Sequence, residues 1–228
     1  MFDRLKKAFS KEAKQPEGPS SQLTAGPASE WATQNGVTMS FTAPGGKGPT
    51  MQGKVGGKAW RMEVGRPSRN YIMGEELRAR AELGITEDMA AMVISRPLKD
   101  ALEKKAYSMI TDTLQTTADP NLPEEMRWLA MYDEVGWDSL PPEFWKRYAI
   151  LSDKREHALA WMDGNFAELL MAWPDPAPTA EVPFIVALMR GKCYLRMEYL
   201  PPENSTMEHA AKIFTAACEG ALNGFPPG

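Results

Sequence analysis

Cysteine and histidine are nearly missing from this chain of 228 residues, which holds only Cys193, Cys218, His157 and His209. Zinc asks for three or four Cys, His or carboxylate ligands at suitable spacing, and these four residues lie apart, so no metal is expected. Two cysteines make no disulfide framework; they read as buried, reduced thiols, which points to the cytoplasm. Long apolar runs are also lacking. No stretch reaches the roughly 18 to 20 residues that a membrane span needs, and the N-terminus has no apolar signal core. A formal charge of -4 and a pI near 5.4 leave no excess of positive charge to capture nucleic acid in bulk.

Signatures of chemistry are equally sparse. Gly48-Pro-Thr-Met-Gln-Gly53-Lys54 has the first seven positions of a phosphate-binding loop, but Val55 stands where Ser or Thr should hold magnesium. The residues after it make a glycine-rich entry to a strand, not the helix whose first amides would hold phosphate. Ser95 and Ser152 end apolar runs, as a hydrolase nucleophile would. Their neighbours Ile94, Arg96, Leu151 and Asp153 are too large for such an elbow, so both serines are expected to cap helices. The acid pairs Glu75-Glu76, Glu124-Glu125 and Asp133-Glu134 are adjacent and do not evidently converge. No catalytic residue and no cofactor are indicated.

What the chain does have is 43% hydrophobic and 25% charged residues, a composition suited to an ordinary folded core. Residues 1 to 50 read as a flexible arm. Phe2, Leu5 and Phe9 fall at helical spacing among Arg4, Lys6 and Lys7, a short stripe that could dock on a membrane surface or a partner. Glu12 to Gly36, rich in Pro, Ser, Gly and Gln, reads as a linker.

Residues 51 to 228 read as an α+β body, with possible sub-lobes 51–120 and 121–224. Lys58 to Val64 alternates Trp60, Met62 and Val64 with Arg61 and Glu63, and predicts a strand. Tyr71 to Leu83 contains good helix formers, but Leu77, Ala79, Ala81 and Leu83 alternate with Arg78, Arg80 and Glu82, which favours the second strand of a hairpin. Met126 to Asp133 predicts a further strand, and Phe184 to Met189 with Cys193 to Leu200 a hairpin around Arg190-Gly191-Lys192. Helices are expected over Pro97–Leu114, Lys154–Leu170 and Met207 to about Gly224. The second and third carry capping-box spacing, Asp153 with Glu156 and Ser205 with Glu208.

Two partial repeats stand out. Ser95 and Ser152 are each followed six and seven residues later by Ala-Leu, and Gly57–Glu63 resembles Gly191–Glu198 with one residue inserted. The order of the units differs between the halves, so a tandem repeat does not follow.

The arginines between residues 61 and 96 are interleaved with glutamates and predict a charge-paired, solvated sheet face. Arg66 and Arg69, in the loop, are the candidates for binding an anion. Trp128, Trp137 and Trp145 are candidates for a groove that takes a ligand or partner.

The run Gly57 to Leu83, with Thr113–Thr116 and Glu125–Tyr132, resembles proteobacterial proteins of unknown function over about residues 50 to 222. That resemblance implies one α+β body and carries no activity or site residues with it. The expectation is a non-enzymatic cytoplasmic binding or adaptor protein whose partner is another protein, with self-association also open. The alternatives are an enzyme or sensor taking a small anion at Arg66 and Arg69, and a peripheral membrane protein attached through residues 1–9.

Overall fold

A computed structural model describes residues 29–41, 48–113 and 124–228. It is α+β: nine strands form one antiparallel sheet in the order β1-β2-β3-β4-β9-β8-β5-β7-β6. The strands are β1 (Thr38–Ser40), β2 (Thr50–Val55), β3 (Lys58–Gly65), β4 (Glu76–Glu82), β5 (Ala90–Ser95), β6 (Asp133–Val135), β7 (Tyr148–Ser152), β8 (Phe184–Met189) and β9 (Lys192–Glu198). Seven helices accompany them among the described residues: α1 (Glu30–Gln34), α2 (Arg96–Thr113), α3 (Glu124–Met131), α4 (Pro142–Arg147), α5 (Arg155–Trp161), α6 (Gly164–Met171) and α7 (Asn204–Gly224).

The sheet has two unlike halves, and residue pattern decides which is which. β5, β7 and β8 are continuous apolar runs buried along their whole length, so helices must cover both of their faces. β3, β4 and β9 alternate, burying Trp60, Met62, Leu77, Ala79, Cys193 and Leu195 on one face and turning Arg61, Arg80 and Tyr194 to the other. Of the strand expected over Tyr71–Leu83, Glu76–Glu82 forms β4, while residues 71–75 remain loop.

On the buried face lies the larger core, centred on α7, whose Ala210, Ala211, Phe214, Ala217 and Cys218 are fully covered. Cys193 and Cys218 are both free and buried in this core; burial first, and then its neighbour Cys193, push the Cys218 thiol up. A smaller core on the opposite face joins Leu98 and Leu102 of α2 and Met126 of α3 to Met92, Ile94, Leu151 and Ile185 of the sheet.

The hairpins β2-β3 and β8-β9 close through two-residue turns, Gly56-Gly57 and Arg190-Gly191, with positive φ at all four positions, as a type I′ turn requires. β3 and β9 flank β4 with Arg61 and Tyr194 both standing opposite Arg80, so the partial repeat is not kept in register: its matched residues Trp60 and Tyr194 face opposite sides of the sheet.

Several expectations are corrected. Residues 29–41 do not belong to a flexible arm: α1 packs Ala32 into the main core and β1 pairs with β2. The sub-lobes 51–120 and 121–224 are interleaved, because β4 pairs with β9 and β5 lies between β8 and β7. Residues 124–131 are helix, not strand, since Glu125, Met126, Leu129 and Tyr132 recur at three- and four-residue spacing and pack on one side. The helix expected over 154–170 is two, because the Asp163 carboxylate accepts the Phe166 amide at 2.7 Å and starts α6 afresh.

Neither capping box forms. Asp153 is held instead by the Ala90 amide and by His157, and Glu208 pairs with Lys212 at 2.7 Å. The serines do not act as caps as expected either. Ser95 accepts the Phe184 amide of β8, and the Ser152 hydroxyl lies 2.8 Å from the Ala90 carbonyl of β5, so both tie strands together.

His209 on α7 is nearly buried, with Nε2 2.8 Å from the Leu169 carbonyl and its ring tilted against Trp173. Burial first, and then Lys212, hold its pKa below the ordinary value against the opposing pull of the Leu169 carbonyl and Glu208. The unfolded chain therefore takes up a proton near pH 6.5 that the folded chain refuses, and stability falls as pH drops through that region. In chemical denaturation at a series of pH values, His209→Gln should lose this part of the slope below about pH 6.5. An unchanged slope would place the titration elsewhere.

Candidate binding groove

The helical cover ends partway across the second face of the sheet. α2 and α3 cover β7, β5 and β8, whereas β9, β4, β3 and β2 stay open to solvent. Where the cover stops there is a groove of about 1390 Å3 running from Gln52 on β2 to Ile185, Ala187 and Met189 on β8. Trp128, Met131 and Tyr132, from α3 and the residue after it, form its wall, and Met131 is two-thirds exposed. That volume exceeds the roughly 300–1,000 Å3 of a pocket for one small molecule.

The strand register orders the floor in rows. One row runs Gln52, Arg61, Arg80, Tyr194 and Ala187 across β2, β3, β4, β9 and β8. The next runs Thr50, Glu63, Arg78, Arg196 and Ile185. Two pairs of arginines thus stand directly opposite one another, an arrangement that destabilises a sheet unless acids intervene. Glu63 serves two of them, with Arg78 at 2.7 Å and Arg61 at 3.4 Å, and Arg80 pairs with Glu82 at 2.6 Å. Arg80 also lies over the Tyr194 ring, 5.9 Å from its centre. The charge-paired face expected from the sequence is present.

At the end of the groove beside the 66–75 loop, three carboxylates are almost wholly buried: Glu76, Glu125 and Glu198. Arg69 Nε donates to both oxygens of Glu125, at 2.8 and 2.9 Å, and its guanidinium also reaches Glu124 at 3.7 Å. Arg196 spans Glu76 at 3.3 Å and Glu125 at 3.8 Å, and donates to the Ser68 hydroxyl at 3.0 Å. Tyr71 is enclosed beside Glu125, and burial first, then the Glu125 charge, push its hydroxyl well up. This cluster fastens α3 to the loop and so fixes the wall of the groove against its floor.

The residues singled out from sequence are thus separated. Arg69 is committed to Glu125, and Arg66 is exposed outside the groove lining, so the loop does not bring the two together around an anion. Trp128 lines the groove. Trp137 and Trp145 stack edge-on, 5.7 Å apart, over a separate shallow hollow of about 480 Å3 beside Arg96 and Glu134. The docking candidates Phe2, Leu5 and Phe9 lie outside the described residues. Sequence reasoning missed Arg61, Arg80, Tyr194 and Met131 as one surface, because the first three become neighbours only when β3, β4 and β9 pair and Met131 joins them only when α3 packs beside the sheet. The outward alternation of these strands was the available signal.

Fold and groove together define an α+β protein with a half-covered antiparallel sheet. No family model and no curated protein matches the chain. Its structure is similar to the crystal structure of the mycobacterial trehalose monomycolate transport factor A, TtfA, with 9% identity and a TM-score of 0.46, over 86% of this chain and 93% of that one. A likeness this distant carries no functional inference. Among the described residues no helix is long and apolar enough to cross a membrane, and no three Cys, His, Asp or Glu side chains group as metal ligands would.

Proposed function

We propose that this chain is a non-enzymatic cytoplasmic binding or adaptor protein that holds a segment of another protein in the groove. The observation that carries this reading is the exposed sheet face beside α3: a groove of about 1390 Å3, four strands wide beyond the helical cover, with a charged floor and an apolar wall. A groove with an apolar ridge and a rim of guanidinium groups and aromatics has the composition of a recognition surface. The cytoplasmic part of the reading is supported by the two free thiols, Cys193 and Cys218, kept in the core.

The test is a photo-crosslinking amino acid placed in the full chain at Tyr194, at Met131 and, as a control, at the exposed Glu219 of α7 on the other face. The same partner polypeptide should be captured from both groove positions and not from Glu219. Equal capture from Glu219 would refute the groove. Turnover of a substrate by the purified chain, abolished by changing one polar residue, would refute the non-enzymatic reading.

A further inference from the structure

The groove's chemistry is divided along its length, and the division specifies what lies in it. At one end the row across β3 and β4 holds Arg61 and Arg80 opposite one another with no carboxylate in the row itself. Both are more than half exposed, and their pairs with Glu63 and Glu82 are surface pairs, which hold their partners weakly and are readily exchanged. Glu63 is shared with Arg78 and Glu82 with Lys192, so neither arginine has a carboxylate to itself. At the other end, beside β8, whose Ala187 is itself fully buried under the helical cover, Trp128 and Met131 line the groove and supply its apolar wall.

Resting on the reading of the groove as a protein-binding site, we propose that its occupant is an extended segment carrying an acidic side chain between Arg61 and Arg80 and a large apolar side chain against Trp128 and Met131. Register supplies the distance between them. Strands lie about 4.8 Å apart, so the midpoint of β3 and β4 is about 12 Å from β8, two and a half strand spacings away. An extended chain advances about 3.3 Å per residue and returns to the same side every second residue, so four residues cover about 13 Å and present both side chains to the floor. The recognised pattern is an acidic residue followed or preceded, four positions away, by a large apolar one. Guanidinium groups suit the acidic end because they bind carboxylates through two parallel hydrogen bonds.

The experiment selects binders to the full chain from a library of short random peptides. It then measures, by fluorescence anisotropy, labelled synthetic peptides with the acidic and apolar residues four apart or adjacent at equal composition. The four-apart peptide should bind about tenfold more tightly than its rearrangement, and Arg61→Gln with Arg80→Gln should remove that advantage. Arg66→Gln, outside the groove, should leave it intact. Circular dichroism and the melting temperature check that the double variant is folded, and Arg61→Lys with Arg80→Lys, which keeps the charge but not the fork, should retain part of the preference.

Equal binding by both peptides, or a preference that survives the glutamine variants, would overturn the proposal. Selected peptides that lack the pattern yet lose binding on Tyr194→Ala or Met131→Ser would overturn it while leaving the groove as the binding site. A library that yields no binder sensitive to any groove substitution would overturn both.

Discussion

Arg69→Met should lower the stability of this protein by about 3 kcal/mol, because it leaves the Glu125 carboxylate buried without the guanidinium that grips both its oxygens. Breaking a buried pair by removing one partner costs about 3–5 kcal/mol. The lower end applies here, since Arg196 remains 3.8 Å from Glu125 and Arg69 keeps some contact with water. Glu125→Met should cost less, and the double replacement should return to within about 1–2 kcal/mol of the parent, because the attraction and the desolvation it offsets disappear together. Urea unfolding followed by tryptophan fluorescence gives all three values. A stable Arg69→Met variant that has lost binding of a small anion would instead make Arg69 a ligand-binding residue, as its position in the loop suggests.

Gly220→Ala should cost about 2–3 kcal/mol, and a melting temperature lower by about 5–10 °C, from the close crossing of α5 and α7. A methyl group at Gly220 would clash with the Trp161 carbonyl oxygen, and one at Gly224 would stand 2.5 Å from that of Ala160. The contact is fixed from the other side as well, since Trp161 Nε1 donates to the Ala217 carbonyl at 2.9 Å. Neither backbone can yield without breaking that bond or unpacking Trp161, which is fully buried. Gly164→Ala is the control, because nothing lies within 4 Å of the methyl group it would add. Equal melting temperatures for the two variants would mean that the helices stand further apart than this geometry states.

Both expectations rest on hydrogen bonds between residues 56 positions apart, Arg69 with Glu125 and Trp161 with Ala217, and neither can be read from the chain. In the sequence Arg69 looks like a free loop cation, and Glu125 like part of an exposed acid pair. Gly220 looks like one small residue among the alanines of the last helix. Where local pattern suffices, it holds: period-two alternation gives β3, β4 and β9, and the apolar stripes give α2 and α7. The 126–133 segment reads wrongly as strand up to Met131 because a run that short fits either period, and tertiary packing on α2 and the sheet decides it. Linker-like composition hides α1 and β1, whose order comes from the core and from β2, not from propensity.

Residues near one another in the chain were enough for the α+β class, the β3-β4 and β8-β9 pairings, the solvated face of arginine and glutamate, and the absence of familiar catalytic signatures, because each of these is a local pattern. Long-range packing had to supply the rest: that the nine strands form a single sheet, that α2 and α3 cover just part of its second face, and that Arg61, Arg80, Tyr194 and Met131 border one groove. Strand order and register are set by burial across the whole molecule, and a site assembled from four strands and a helix exists only once that burial is complete.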